Sequence, residues 1–249
     1  MTVVSAADSL EVREPPMERA PIPYYPMLLD LRGRRCLVVG GGREAEVKAG
    51  GLTSCGANVT VVAPTLSQTL ESMAELGSLG WTQRPFLPHD LEGMFLVVAA
   101  NDDPVTNRRI AEEARRCGVL CTVATDGSQT DFIVPDVVQR GSLTIALTTA
   151  GTSPTLTQRI REELERAFGV EYAHFLDMIR RLEPEIHETI PDRELRERVE
   201  AEMVDSPALA FLRGGNVEAA ERILRTIMAT AKGIYESQVC SEKPYQPGR

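Results

Sequence analysis

The stretch of clearest chemical potential is Cys36-Leu37-Val38-Val39-Gly40-Gly41-Gly42-Arg43-Glu44-Ala45, where a short apolar run ends in three glycines and passes into helix-forming residues. Gly40-x-Gly42-x-x-Ala45 fits the dinucleotide fingerprint in its G-x-G-x-x-A form. In that pattern Gly40 permits the tight turn, Gly42 lets the backbone approach a pyrophosphate, and Ala45 lets the following helix pack closely on the strand. The unpaired N–H groups that open the helix then face the phosphates. Three adjacent glycines also make a plain flexible turn, but the strand before them and the helical run from Glu44 to Lys48 favour the nucleotide. A second candidate is Asn101-Asp102-Asp103-Pro104, which follows an apolar run at a carboxyl strand end, where open α/β sheets place ligands. Asp and Pro also cap helices well, and the two roles are compatible.

These candidates need a sheet to hold them. Strands are expected over 37–39, 59–63, 81–86, 95–100 and 120–124, and helices over 44–52, 66–76 and 105–117. The strands are apolar throughout rather than alternating, which means a parallel sheet covered on both faces. Gly50 and Gly51 weaken the first helix by about 1 kcal/mol each relative to Ala, and close packing on the sheet is the expected reason for them. At the end of the second strand, where an Asp or Glu commonly holds the ribose 2′-OH, the chain reads Ala63-Pro64-Thr65. No basic residue waits there for a 2′-phosphate either, so that strand end leaves NAD and NADP open.

From Phe132 the character changes. Two strand-like pieces flank a Gly141-Ser142 turn, a small-residue loop follows, and a helix is expected over 154–168 with Ser153 as its cap and Pro154 at its first position. Further helices are expected over 172–182, 193–203, 206–213 and 217–232, with breaks at Pro184, Pro191 and Gly214-Gly215. The expected fold class is α/β: a Rossmann-type parallel sheet domain over 24–134, a short β/α segment over 135–168 and a C-terminal helical domain over 169–235. Mobile tails are expected at 1–23 and 236–249.

A chain of 249 residues with 43% hydrophobic and 25% charged residues has the balance of a soluble protein of one or two domains. Its net charge of −9 argues against a nucleic-acid surface, so an anionic ligand must be held by local arginines and helix N-termini. No apolar run approaches the ~20 residues of a membrane span, and residues 1–23 have no apolar core of the signal-peptide kind. The five cysteines form no C-x-x-C pair, and reduced thiols in a cytoplasm are expected. No metal site is expected, because the histidines and cysteines are scattered.

Six motifs in order carry a resemblance over residues 24–166: Pro26-x-x-Leu29-Asp30-Leu31-x-Gly33, Leu37-Val38-Val39-Gly40-Gly41-Gly42, Val59-Thr60-Val61-Val62-Ala63-Pro64, Ala99-Ala100-Asn101-Asp102-Asp103, Asp131-Phe132-Ile133-x-Pro135 and Gly151-Thr152-Ser153-Pro154. Together they resemble the precorrin-2 dehydrogenase family, the dehydrogenase and ferrochelatase modules of sirohaem synthesis. The resemblance implies NAD-dependent oxidation of precorrin-2 to sirohydrochlorin. In some members the same site also inserts ferrous iron. It implies a homodimer built through the 135–168 segment, with the tetrapyrrole between the nucleotide domain and the helical region. Arg43, Glu44, Pro64 and Thr65 fall on the family's dinucleotide contact positions, beside Gly40, Gly41, Gly42, Asn101 and Asp102.

A tetrapyrrole fringed with carboxylates needs arginines and helix N-termini. Arg140, Arg159 and Arg161, with Thr152 and Ser153 at the helix start, are the candidates, and a solvated helix face is their alternative. The family assigns proton transfer to an aspartate after the fifth strand, a position held here by Thr125, with Asp126 one residue later. A one-residue offset is absorbed in a loop, whereas in a strand it would reverse the side chain. Asp126 is the expected acid/base, followed by Asp131 and Asp102, and Asp126-Gly127 also reads as a plain turn. The alternatives to the dehydrogenase are a bifunctional dehydrogenase and ferrochelatase, and a non-catalytic NAD(H)-sensing module.

Overall fold

A computed structural model describes residues 24–124 and 130–241, with side chains to residue 237. The tail expected at 1–23, residues 242–249 and the segment 125–129 lie outside these residues. The chain divides into two units between Phe132 and Ile133.

In the first unit, β1 (Arg35–Val39), β2 (Asn58–Val62), β3 (Gly80–Thr82), β4 (Leu96–Ala99) and β5 (Leu120–Val123) form one parallel sheet in the order β3-β2-β1-β4-β5. Cys36, Val38, Val59, Val61, Leu96 and Val98 belong to the core on one face, with Ala45 and Ala49 of α1 (Arg43–Ser54) and Leu70 of α2 (Gln68–Glu75). Leu37, Val39, Val97, Ala99, Cys121 and Val123 belong to the other, with Ile110, Ala111 and Ala114 of α3 (Pro104–Cys117). Covered on both faces, these strands require an apolar residue at nearly every position.

Three local expectations change. β3 stops at Thr82 because the chain turns there, Arg84 N–H donating to Thr82 O at 3.0 Å, and Pro85 cannot donate to a ladder. The chain then makes a 3-10 turn over Pro88–Leu91, absent from the sequence reading. Gly50 and Gly51 do not mark close packing on the sheet, since a Cβ at either would meet nothing within 4 Å.

The 3-10 turn is fastened by charge. Arg84 grips Asp90 through two nitrogens at 2.5 and 2.8 Å, and Asp90 Oδ2 also accepts from Leu87 N–H at 2.8 Å. Burial pushes the Asp90 carboxyl up, but the guanidinium and the Leu87 N–H outweigh it and hold the group below the usual carboxylate range.

In the second unit, β6 (Asp136–Arg140) and β7 (Leu143–Leu147) form an antiparallel ribbon about Gly141, which has φ +59. Five helices follow: α4 (Pro154–Ala167), α5 (Glu171–Thr189), α6 (Arg193–Asp205), α7 (Ala208–Arg213) and α8 (Val217–Ser241). Phe175, Met178, Leu182 and Ile186 of α5 pack with Leu195, Val199 and Met203 of α6 and Leu224 and Met228 of α8. The break expected at Pro184 is absent. Buried Leu182 and Ile186 keep the helical spacing across it, and exposed Pro184 projects away from that face. α8 likewise runs past the expected end at Lys232, so residues 236–241, assigned to a mobile tail, are helical. No helix among the described residues is long and apolar enough to cross a membrane.

Two stability predictions follow from these contacts. Gly51→Ala should raise the unfolding free energy by up to about 1 kcal/mol in a urea titration, because the glycine is helical and its Cβ space is open. Asp90→Asn should lower the melting temperature at neutral pH. The lowered folded pKa makes the Asp90 contribution complete above the unfolded value of about 3.9 and lost as pH falls through the folded value, so the gap between the two proteins should close in acid below about pH 4.

Candidate functional site

The order β3-β2-β1-β4-β5 reverses direction at β1, which places a crevice at the carboxyl ends of β1 and β4. The glycine loop leaves β1 there. Gly40 has φ +134 and donates its N–H to Val62 O at 3.1 Å, and a Cβ on it would collide with the Ala100 carbonyl leaving β4. Gly41 is constrained as severely. A Cβ there would collide with the Thr65 carbonyl, and Ser67 N–H donates to Gly41 O at 2.7 Å.

Gly42 differs from both. Its φ of −87 is ordinary, and the nearest atom to a Cβ built on it is Asp102 Oδ1 at 3.9 Å. The fold therefore leaves Gly42 free to be another residue, and the open space in front of it suits a ligand that approaches the backbone closely. Gly42 is the N-cap of α1 with no side-chain bond to the helix, so the first N–H groups of α1 open onto that space. These residues fit a dinucleotide diphosphate. Ala45, the last fingerprint residue, is fully buried against the sheet. The role of Gly41 was missed by the fingerprint, which leaves that position unspecified.

At the end of β4 the expected double role divides between neighbours. Asp103 caps α3, accepting from Val105 N–H at 3.1 Å and Thr106 N–H at 3.0 Å, and its carboxyl is held below the usual range by the Thr106 hydroxyl and these amides. Asn101 Oδ1 accepts from Asp103 N–H at 3.0 Å. The Asn101 backbone is locked by Asn107, whose side chain accepts its N–H at 3.0 Å and donates to its carbonyl at 2.7 Å. Buried Asn107 was not foreseen, because a lone Asn inside a charged helix carries no spacing signal. Asp102 stays exposed beside the glycine loop, as do Arg43 and Glu44 in the first turn of α1 and Pro64 and Thr65 after β2. The last two are braced from β3, where Trp81 Nε1 donates to Ala63 O at 3.0 Å.

Asp126 lies outside the described residues. Its segment leaves from Ala124, whose N–H donates to Ala99 O at 2.9 Å, and returns at Thr130, whose Oγ1 accepts from Val123 N–H at 3.0 Å. Asp131 is engaged elsewhere. Its N–H donates to Cys121 O at 2.8 Å and its Oδ2 accepts from Cys121 N–H at 2.9 Å, so it fastens the edge of β5 well back from the carboxyl end. Burial pushes the Cys36 thiol up to about 11 and the Cys121 thiol up to about 12, which leaves both unreactive.

The arginines of the second unit are also largely engaged. Arg140 Nε donates to Phe168 O at 2.9 Å and a terminal nitrogen reaches Glu165 O at 3.4 Å, so its guanidinium caps the end of α4. Arg161 pairs with Glu165 at 2.7 Å, and exposed Arg159 lies 4.0 Å from Glu163. Ser153 caps α4, its Oγ accepting from Leu156 N–H at 3.3 Å, while Thr149 Oγ1 accepts from Ser153 N–H at 3.1 Å. Thr152 is exposed beside them, its N–H on Thr149 O at 3.0 Å.

Comparison with known proteins gives this geometry a setting. Residues 27–136 match the NAD(P)-binding family model, and residues 140–167 match the model of the sirohaem biosynthesis protein central domain. The chain is 32% identical over 201 residues to a sirohaem synthase of Methylococcus capsulatus, covering 81% of this chain and 42% of that one. It is 31% identical over 226 residues to a sirohaem synthase of Azotobacter vinelandii, covering 90% and 49%. The chain thus spans less than half the length of these relatives. Among solved structures it resembles SirC, a precorrin-2 dehydrogenase, with a TM-score of 0.69 and 27% identity over 82% of this chain and all of that one. With the glycine loop at the switch point and these likenesses on both units, the chain is similar to precorrin-2 dehydrogenases and to part of the sirohaem synthases.

Proposed function

We propose that this chain oxidises precorrin-2 to sirohydrochlorin with NAD+ as the hydride acceptor. The observation that carries the reading is Gly42, a glycine that neither backbone conformation nor internal packing requires, at the mouth of a helix N-terminus. NAD+, when bound, supplies the acceptor for the hydride, and the protein has to hold and orient it. Backbone amides from Gly42 into α1 hold the diphosphate, with Arg43, Glu44, Pro64 and Thr65 lining its approach and Asn101 and Asp102 on the β4 side. Asp126 takes the proton that leaves the macrocycle, and Asp102, exposed beside the glycine loop, is the second candidate. Asp131 is set aside because its carboxylate holds the β5 edge.

The substrate carboxylates fall to the α4 start, Thr152 and Ser153, and to exposed Arg159, whose 4.0 Å pairing is loose enough to exchange. The active form is a homodimer assembled through the 135–168 segment. A two-stranded ribbon is marginal by itself, and only Val138 of β6 and β7 is buried while Val137 is exposed. Free cysteines at 36, 55, 117 and 121 suit a reducing cytoplasm. Ferrous iron is a further substrate in the bifunctional alternative, and iron-dependent consumption of sirohydrochlorin above the protein-free rate would establish it.

Purified protein given precorrin-2 and NAD+ should produce NADH absorbance together with the sirohydrochlorin spectrum. Binding of NAD+ with no turnover would contradict the dehydrogenase and favour a sensing module. Asp126→Asn should lower kcat by ~100-fold or more with NAD+ affinity kept, as expected for loss of a general base. Gly42→Ala should weaken NAD+ binding by about tenfold, or roughly 1.4 kcal/mol, while leaving the melting temperature unchanged. Gly41→Ala should instead destabilise the fold by about 1–3 kcal/mol, because its Cβ has no room.

A further inference from the structure

The end of β2 offers no acid for a ribose 2′-OH, yet a carboxylate reaches the same loop from α1. Glu46 sits one turn into that helix, its N–H donating to Gly42 O at 3.0 Å, and its Oε2 accepts from Ser67 Oγ at 2.8 Å. Ser67 N–H donates to Gly41 O at 2.7 Å, which closes a ring through the first turn of α1, the glycine loop and the loop after β2. Ser67 Oγ also accepts from Leu70 N–H at 3.3 Å, so its own proton is directed at Glu46. Among the described residues Glu46 has no cationic partner, and half-buried as it is, its negative charge is aimed at the loop rather than neutralised.

We infer that Glu46 selects NAD+ over its 2′-phosphorylated form, acting from α1 in the place an acid at the end of β2 would ordinarily fill. The inference rests on the dinucleotide reading above. A ribose 2′-hydroxyl can donate to the second oxygen of this carboxylate, a charge-assisted bond. A 2′-phosphate brings further negative charge against a carboxylate held by Ser67, and like charges brought together repel. Ser67 cannot swing away to relieve this, because its backbone is bonded to the glycine loop and its hydroxyl caps α2.

The test is a pair of calorimetric titrations, NAD+ and NADP+, on the wild-type chain and on Glu46→Gln and Glu46→Arg, with melting temperatures recorded in parallel. The wild type should prefer NAD+. Glu46→Gln should narrow the gap between the two dissociation constants by ~10-fold, chiefly through tighter NADP+ binding, and Glu46→Arg should reverse the preference. Folded variants in which both constants move together, or neither moves, would overturn the role of Glu46 and leave the dinucleotide site standing. A wild type that binds neither nucleotide would remove the site itself, and this inference with it.

Discussion

Two carbonyl groups, those of Ala100 and Thr65, press so closely on Gly40 and Gly41 that no side chain fits at either position. The rest of the site depends on this packing of backbone against backbone. It joins the exits of β1, β2 and β4 into one rigid base, reinforced by the Gly40–Val62 and Ser67–Gly41 hydrogen bonds. From that base α1 departs with its first amides turned outward and with Ala45 and Ala49 seated on the sheet. The conformational cost of three consecutive glycines is thereby met by contacts within the fold for the first two. The third has no internal compensation, which is why it marks the place for a ligand.

For the proposed polyanionic ligands an acidic chain has to concentrate positive potential, and the arginines bonded within the fold do little of this. Arg140 caps a helix, while Arg161, Arg193 and Arg225 bond to glutamates four residues away along their own helices. Such pairs contribute a few tenths of a kcal/mol each and leave little uncompensated charge. In the proposed function anion recognition therefore rests more on helix N-termini, those of α1 and α4, than on arginine side chains. Backbone amides do not titrate and are fixed in direction by the fold, so they suit diphosphate and carboxylate groups that must be held at one orientation.

The strands and most helix boundaries were legible in the sequence because a doubly covered sheet demands continuous apolar runs and because Asp103 and Ser153 are local start signals. The persistence of α5 through Pro184 was not legible. It is decided by Leu182 and Ile186 packing against distant helices, a tertiary effect that overrides a local breaker. At the site, the G-x-G-x-x-A spacing located the loop, but not the division of labour within it, since the atoms that crowd Gly41 come from Thr65, 24 positions along the chain. The internal bonds of Arg140 and Asp131 were not legible for the same reason. Their residue types suit a ligand, and only the fold reveals that they bond to Phe168 O and to the Cys121 backbone. Glu46 went unnoticed because a carboxylate one turn into a helix ordinarily reads as a solvated face.

The most direct measurement is a crystal of the chain soaked with NAD+ and examined for where the diphosphate lies. The account predicts density against the amides of Gly42, Arg43 and Glu44, with Gly40 and Gly41 unmoved. A diphosphate bound away from the α1 N-terminus, or a loop that must unfold from Ala100 and Thr65 to admit it, would contradict the account.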